Sequence, residues 1–195
     1  VPHTEVEIAT SFAPGGYKVL RPKQVGFVSY PYEWCFSQLK DAALTTLDIQ
    51  QTALSYSMVL KDSSAYNIQF LDGKPVLIDT LSFDHYKEGK PWAAYKQFCQ
   101  HFLAPLAIMS YRDARLGQML RAFLDGIPID LASAVLPAST YLRIGLFMHL
   151  HLHGFALNHH NNQTADRTVK GKRFGIRSFR GLIESLRNTI ESLKW

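Results

Sequence analysis

From Cys35 to Met58 the chain runs without a single glycine or proline, and its apolar residues recur at helical spacing. Phe36, Leu39, Ala43, Leu47 and Leu54 fall near one stripe, with Ala42, Leu44 and Ala53 beside it. That periodicity predicts an amphipathic helix of about twenty residues, with Ser37 as its cap. Strand signals lie on both sides of it. Upstream, "TEVEIAT" alternates, Pro14-Gly15-Gly16 marks a turn, and "YKVLRP" and "QVGFVSY" each end at a proline. Downstream, "AYNIQF" and "PVLIDTLSF" flank Leu71-Asp72-Gly73-Lys74, and Asp-Gly between apolar runs is a strong hairpin signal. A long helix bracketed by short strand groups, followed by more helices, predicts an α+β fold.

The later helices are expected over Trp92–Met109, broken near Pro105, and over Arg112–Phe123. A short helix should follow Asp130 as N-cap, Tyr141–Leu157 is apolar and histidine-rich, and an amphipathic helix capped by Ser178 should end the chain, with Leu182, Leu186 and Leu193 on its apolar side. Four units are expected: an antiparallel subdomain over 1–31, a mainly helical lobe over 32–160, a basic linker over 161–177 and a terminal helix over 178–195.

Composition removes several classes. Of 195 residues, 47% are hydrophobic and 19% charged, the balance of a packed domain rather than a disordered chain. Two cysteines, Cys35 and Cys99, stand far apart and form no CxxC, which argues against a disulfide scaffold or a thiolate zinc site and fits a cytoplasmic protein. The longest apolar runs, Phe102–Met109 and Ile144–Met148, are too short to span a bilayer, and no secretory leader is visible. The first residue is Val1, which suggests an excised piece of something longer. The net charge of +5 is concentrated: Arg167, Lys170, Lys172, Arg173, Arg177 and Arg180 face only Asp166 in their stretch. One glycine-containing basic run reads as a solvated linker and helix surface rather than a nucleic-acid footprint.

The chemistry concentrates in "LKDSSAYNIQFLDGKPVLIDTLSF", Leu60 to Phe83. Asp62 and Asn67 have D-x-x-x-x-N spacing, and Asp79 follows the hairpin. Phosphoryl transfer needs an aspartate to orient the acceptor hydroxyl and oxygen ligands to hold magnesium against nucleotide phosphates. The order of helix, acid–amide loop, hairpin and acid resembles the catalytic loop and metal-binding strand of the protein-kinase and aminoglycoside-phosphotransferase superfamily. The resemblance implies a kinase-like large lobe with a reduced N-terminal sheet. It makes Asp62 the base, and Asn67 and Asp79 the ligands of magnesium beside ATP or a related nucleotide. "VSYPYEW" would connect the lobes, and Lys18 is the remaining candidate for the phosphate-binding cation.

The chain departs from that pattern in four places. Leu60 stands where a histidine is usual, Lys61 lies between it and the aspartate, Thr80-Leu81 replaces Phe-Gly, and no G-x-G-x-x-G loop is present. A degenerate site, a pseudokinase, is one reading and an active small-molecule kinase another. The plainest is a purely structural domain in which Asp62, Asn67 and Asp79 are turn and cap residues.

A second resemblance runs from about Val25 to His153. "FVSYPYEWCFSQLKDAALTTL", "LKDSSAYNIQF", "PVLIDTLSF", "PWAAYKQFCQHFLAPLAIMSYRD" and "HLHLH" look like the N-terminal region of a bacterial family of SAM-dependent methyltransferases, some carrying a nodulation label. The resemblance implies an accessory domain whose partner is a C-terminal methyltransferase domain of the same protein. No E/D-x-G-x-G loop occurs here, so SAM would belong to that following domain. "HLHLH" also offers His149 and His153 at i and i+4 as an alternative metal pair, though no carboxylate lies near in sequence.

Overall fold

The computed structural model describes residues 1–6, 18–155 and 175–195. Its organising element is helix α1, Phe36–Ser55. The expected stripe is the buried one: Phe36, Leu39, Ala42, Ala43, Leu47, Ala53 and Leu54 all face the core. The cap is Cys35 rather than Ser37. Cys35 has extended backbone angles, and its N–H donates to Gln38 Oε1 at 3.0 Å, so the side chain at the third helical position closes the terminus. Ser57, with φ of 56°, turns the chain back at the other end.

Strands β1, His3–Val6, and β2, Val19–Pro22, pair antiparallel with Val6 opposite Val19. The Pro14-Gly15-Gly16 turn lies outside the described residues. The third strand expected over Gln24–Tyr30 does not form. There the backbone of Ser29 is satisfied by a side chain: its N–H donates to Gln69 Oε1 at 3.0 Å, and its carbonyl accepts from Gln69 Nε2 at 2.9 Å. One glutamine thus substitutes for a neighbouring strand.

After α1 come β3, Met58–Leu60, then β4, Ile68–Leu71, and β5, Lys74–Leu77, then β6, Phe83–His85. β4 and β5 form the expected hairpin, with Asp72 and Gly73 both at positive φ, 52° and 75°. The single strand expected from Pro75 to Phe83 is divided. A 3-10 turn, Thr80–Ser82, interrupts it, because Asp79 caps the turn by accepting from Leu81 N–H at 2.8 Å. The chain then returns as β6 to pair antiparallel with β3, Leu60 opposite Phe83. "AYN" is likewise a 3-10 turn, Ala65–Asn67, capped by Ser64, so β4 begins only at Ile68.

The predicted break near Pro105 is absent. Helix α2, Tyr95–Phe98, widens into a π turn, Cys99–Leu103, and continues as α3, Ala104–Tyr111. Within the π turn Ala104 N–H reaches back to Cys99 O, which spares Gln100 O. That carbonyl accepts from Ile127 N–H at 2.9 Å instead. The crossing segment fits because Gly126 has φ of 88°, and a Cβ there would lie 2.7 Å from Gln100 Cβ.

Arg112–Phe123 resolves into a 3-10 turn, Ala114–Gln118, capped by Asp113, and α4, Met119–Ala122. α5 is Ile129–Val135, with Pro128 at its cap and Asp130 in the first turn, where a negative charge suits the helix dipole. α6, Ile144–Leu146, leads into a second π turn, Phe147–His151. α7, Ile176–Ser192, follows Gly175 rather than Ser178 and buries Phe179, Ile183, Leu186 and Ile190. It lies along α1. Arg187 pairs with Asp48, and Lys40 Nζ donates to the carbonyls of Glu191 and Leu193 at α7's C-terminal end, each at 2.8 Å. Most of the basic linker falls outside the described residues. Among those described, no helix is long and apolar enough to cross a membrane. Small antiparallel sheets set against helices make the chain α+β, as the sequence predicts.

Candidate functional site

The segment after β3 is held from three sides. Trp92 Nε1 donates to Leu60 O at 2.8 Å, and Lys61 N–H donates to Ser82 O at 2.8 Å. Ser63 N–H reaches Gln97 Oε1 at 2.7 Å, while its hydroxyl donates to Ala94 O at 2.8 Å. A loop whose backbone is paired to separate elements holds its side chains in set positions. Asp62 uses Oδ1 to accept from Ser64 N–H at 2.8 Å, a local Asx-type cap.

Asn67 and Asp79, twelve residues apart, meet at one hydroxyl. The hairpin aligns them, since Ile78 N–H donates to Asn67 O at 2.9 Å. Asn67 Nδ2 donates to Ser82 Oγ at 3.1 Å, and Ser82 Oγ donates to Asp79 Oδ2 at 2.6 Å. Ser82 is buried and Asp79 half-buried. The Ser82 hydroxyl holds the Asp79 carboxyl below the usual carboxylate range, helped by Leu81 N–H and the nearby Lys61 ammonium. Asp79 is therefore ionised at neutral pH.

Asp62 belongs to a neighbouring environment. Its charge acts on His101, from the π turn of the helix behind the loop, as does Asp125. His101 Nδ1 accepts from Ala65 N–H at 3.4 Å, and the Asp125 backbone is its other partner. Burial keeps the ring neutral against both carboxylates. Tyr66 packs edge-on against His101, with ring centroids 6.2 Å apart, and near Tyr30, which itself stacks on Tyr32 at 5.4 Å. Burial raises the Tyr66 phenol, with Tyr32, Asp125 and Tyr30 adding to the effect.

The structure thus joins Asn67 to Asp79 and sets Asp62 on the adjoining loop, turned to Ser64. Lys18 sits on the N-terminal hairpin and pairs with Glu5 at 2.6 Å. The cation acting on Asp79 is Lys61. Sequence reasoning missed Ser82 and His101. Ser82 carried a usable signal, the D-x-x-S spacing of a capped turn. His101 carried none, being 36 positions from its partner Ala65.

The histidines in and just after the second π turn have partners of their own, apart from the Asp79 cluster. His149 Nδ1 pairs with Tyr95 Oη at 2.9 Å and Nε2 with Ser185 Oγ at 2.9 Å, so both ring nitrogens are engaged. Burial pushes it down to about 4, with His153 adding to the effect. His153 stacks on Tyr95 at 5.5 Å, and its buried Nδ1 has no hydrogen-bond partner. His151 is held between Ser133 and Thr140 hydroxyls, each at 2.8 Å. Among the described residues no three His, Cys, Asp or Glu side chains gather as a metal site.

No family model matches the chain, and no solved structure does. It is similar to nodulation protein NoeA of Rhizobium meliloti (strain 1021), with 34% identity over 179 residues. The match takes in 91% of this chain and 38% of that protein, so the chain spans well under half the length of the curated relative it matches.

Proposed function

We propose that this chain is a kinase-like accessory domain, degenerate as a phosphotransferase, that serves a methyltransferase domain within a longer cytoplasmic protein. The kinase-like part rests on the order of α1, the Asp62–Asn67 loop, the β4–β5 hairpin and Asp79. The longer-protein part rests on the short coverage of the nodulation relative. The observation that carries degeneracy is the Ser82 hydroxyl between Asn67 and Asp79. Magnesium takes oxygen ligands in near-octahedral array. Here Asn67 turns its nitrogen toward the shared point, a hydroxyl fills it, and Asp62 spends an oxygen on Ser64. Asp79 is ionised, yet both its oxygens already accept, from Leu81 N–H and from the Ser82 hydroxyl. The cluster's chemistry suits a structural knot that holds the hairpin to the β6 turn, leaving SAM to the neighbouring domain.

The experiment is a calorimetric titration of the chain with magnesium and ATP at millimolar nucleotide. The expected result is no magnesium-dependent binding, in the wild type and in Asp79→Ala alike. Binding that disappears in Asp79→Ala would refute degeneracy. It would favour the second reading, an active small-molecule phosphotransferase with Asp62 as base, which the ionised Asp79 beside Lys61 supports. The third, a purely structural domain, predicts that Asp62→Ala and Asn67→Ala leave every activity of the longer protein intact.

A further inference from the structure

Residues 141–152 present an outward face that a water-exposed helix does not ordinarily carry. Leu142 is 86% exposed, Ile144 82%, Tyr141 51%, Met148 49%, Leu152 44% and Phe147 38%. Arg143 is the one charged residue in the stretch. The opposite side is packed into the protein: Leu146, His149, Leu150 and His151 are buried, both histidines hydrogen-bonded to hydroxyls. A dense group of exposed apolar side chains marks an interaction surface. Part of the face borders a cavity of about 430 Å³, lined by Tyr141, Phe147, Leu152 and His151 together with Asp130 and Ser133. Tyr141 and His151, both in its lining, stack with ring centroids 3.8 Å apart.

What covers this face must be apolar and must carry a protruding side chain. A lipid surface suits a face with a basic margin, whereas this face carries a single basic residue, Arg143, and the cavity beside it an acid, Asp130. The nodulation relative extends well beyond the region it shares with this chain, which occupies 38% of it. A linked domain is at high effective concentration and needs only modest affinity to stay docked.

We infer that the Tyr141–Leu152 face is the docking surface for a further domain of the same longer protein, which inserts an apolar knob, with a basic residue beside it, into the cavity next to Asp130. This rests on the longer-protein part of the proposed function and is independent of whether the Asp79 cluster binds nucleotide. The readout is peroxide oxidation of Met148, followed by mass spectrometry, in the full-length protein and in the 195-residue chain. Oxidation of an exposed methionine follows its access to solvent, so Met148 should react at least about tenfold more slowly in the full-length protein. Leu142→Glu with Ile144→Glu in the full-length protein should restore the rate of the isolated chain. Leu142→Glu alone, at the most exposed position, serves if the double variant misfolds. Equal rates in the two wild-type proteins would overturn the inference. So would protection that needs a second copy of the chain, seen as concentration dependence, or protection that appears only with phosphatidylcholine–phosphatidylglycerol vesicles. The calorimetric titration above is read separately, so failure of the kinase reading leaves this result interpretable.

Discussion

Acid should unfold this protein through His149. The ring is buried against Tyr95 and Ser185, and its folded pKa is pushed from 6.5 to about 4. The unfolded chain therefore binds a proton at higher pH than the folded one. A depressed folded value gives stability that is complete above about 6.5 and is lost as pH falls toward about 4. At pH 5 the unfolded imidazole is almost fully protonated and the folded one barely so, which costs about 2 kcal/mol relative to pH 8. His101, His151 and His153 are all lowered by burial and push in the same direction. The assay is urea unfolding at pH 8, 6 and 5, for the wild type and His149→Gln. Glutamine loses some hydrogen bonding at every pH but cannot titrate. The variant should start weaker at pH 8, and its loss between pH 8 and pH 5 should be smaller than the wild type's by about 2 kcal/mol. An equally large loss in the variant would show that His149 is not held neutral by its surroundings, and the buried network described above would be wrong.

Two further perturbations test the hairpin and the helix crossing. Ser82→Ala should cost about 1–3 kcal/mol by leaving Asn67 and Asp79 without their shared partner, and should let the Asp79 pKa rise, which carboxyl-carbon NMR titration would show. Gly126→Ala should lower stability by more than about 1 kcal/mol, because it adds a Cβ at positive φ against Gln100, and thermal melting would measure it.

The elements legible in the sequence share one property: their signals are local. The buried stripe of α1 is written in its spacing, and the β4–β5 turn in Asp72-Gly73. The errors arise where a distant group satisfies the backbone. Gln24–Tyr30 reads as a strand ended by Pro31, yet Gln69 takes both backbone groups of Ser29. Pro105 reads as a helix break, yet a π turn frees Gln100 O for Ile127 and the helix runs on. At Asp79 the immediate partners are local, a turn amide and a hydroxyl, and only its link to Asn67 through Ser82 joins remote positions.

By itself, the order of residues determined the α+β class, the long helix, the hairpin and the placing of an acid, an amide and a second acid around it, because periodicity and turn chemistry act over a few neighbours. Only the tertiary structure decided what those side chains touch: Ser82 between Asn67 and Asp79, His101 behind the Asp62 loop, and apolar side chains left outward on Tyr141–Leu152. Burial and hydrogen-bond satisfaction are properties of surroundings assembled from remote parts of the chain, and no short stretch contains them.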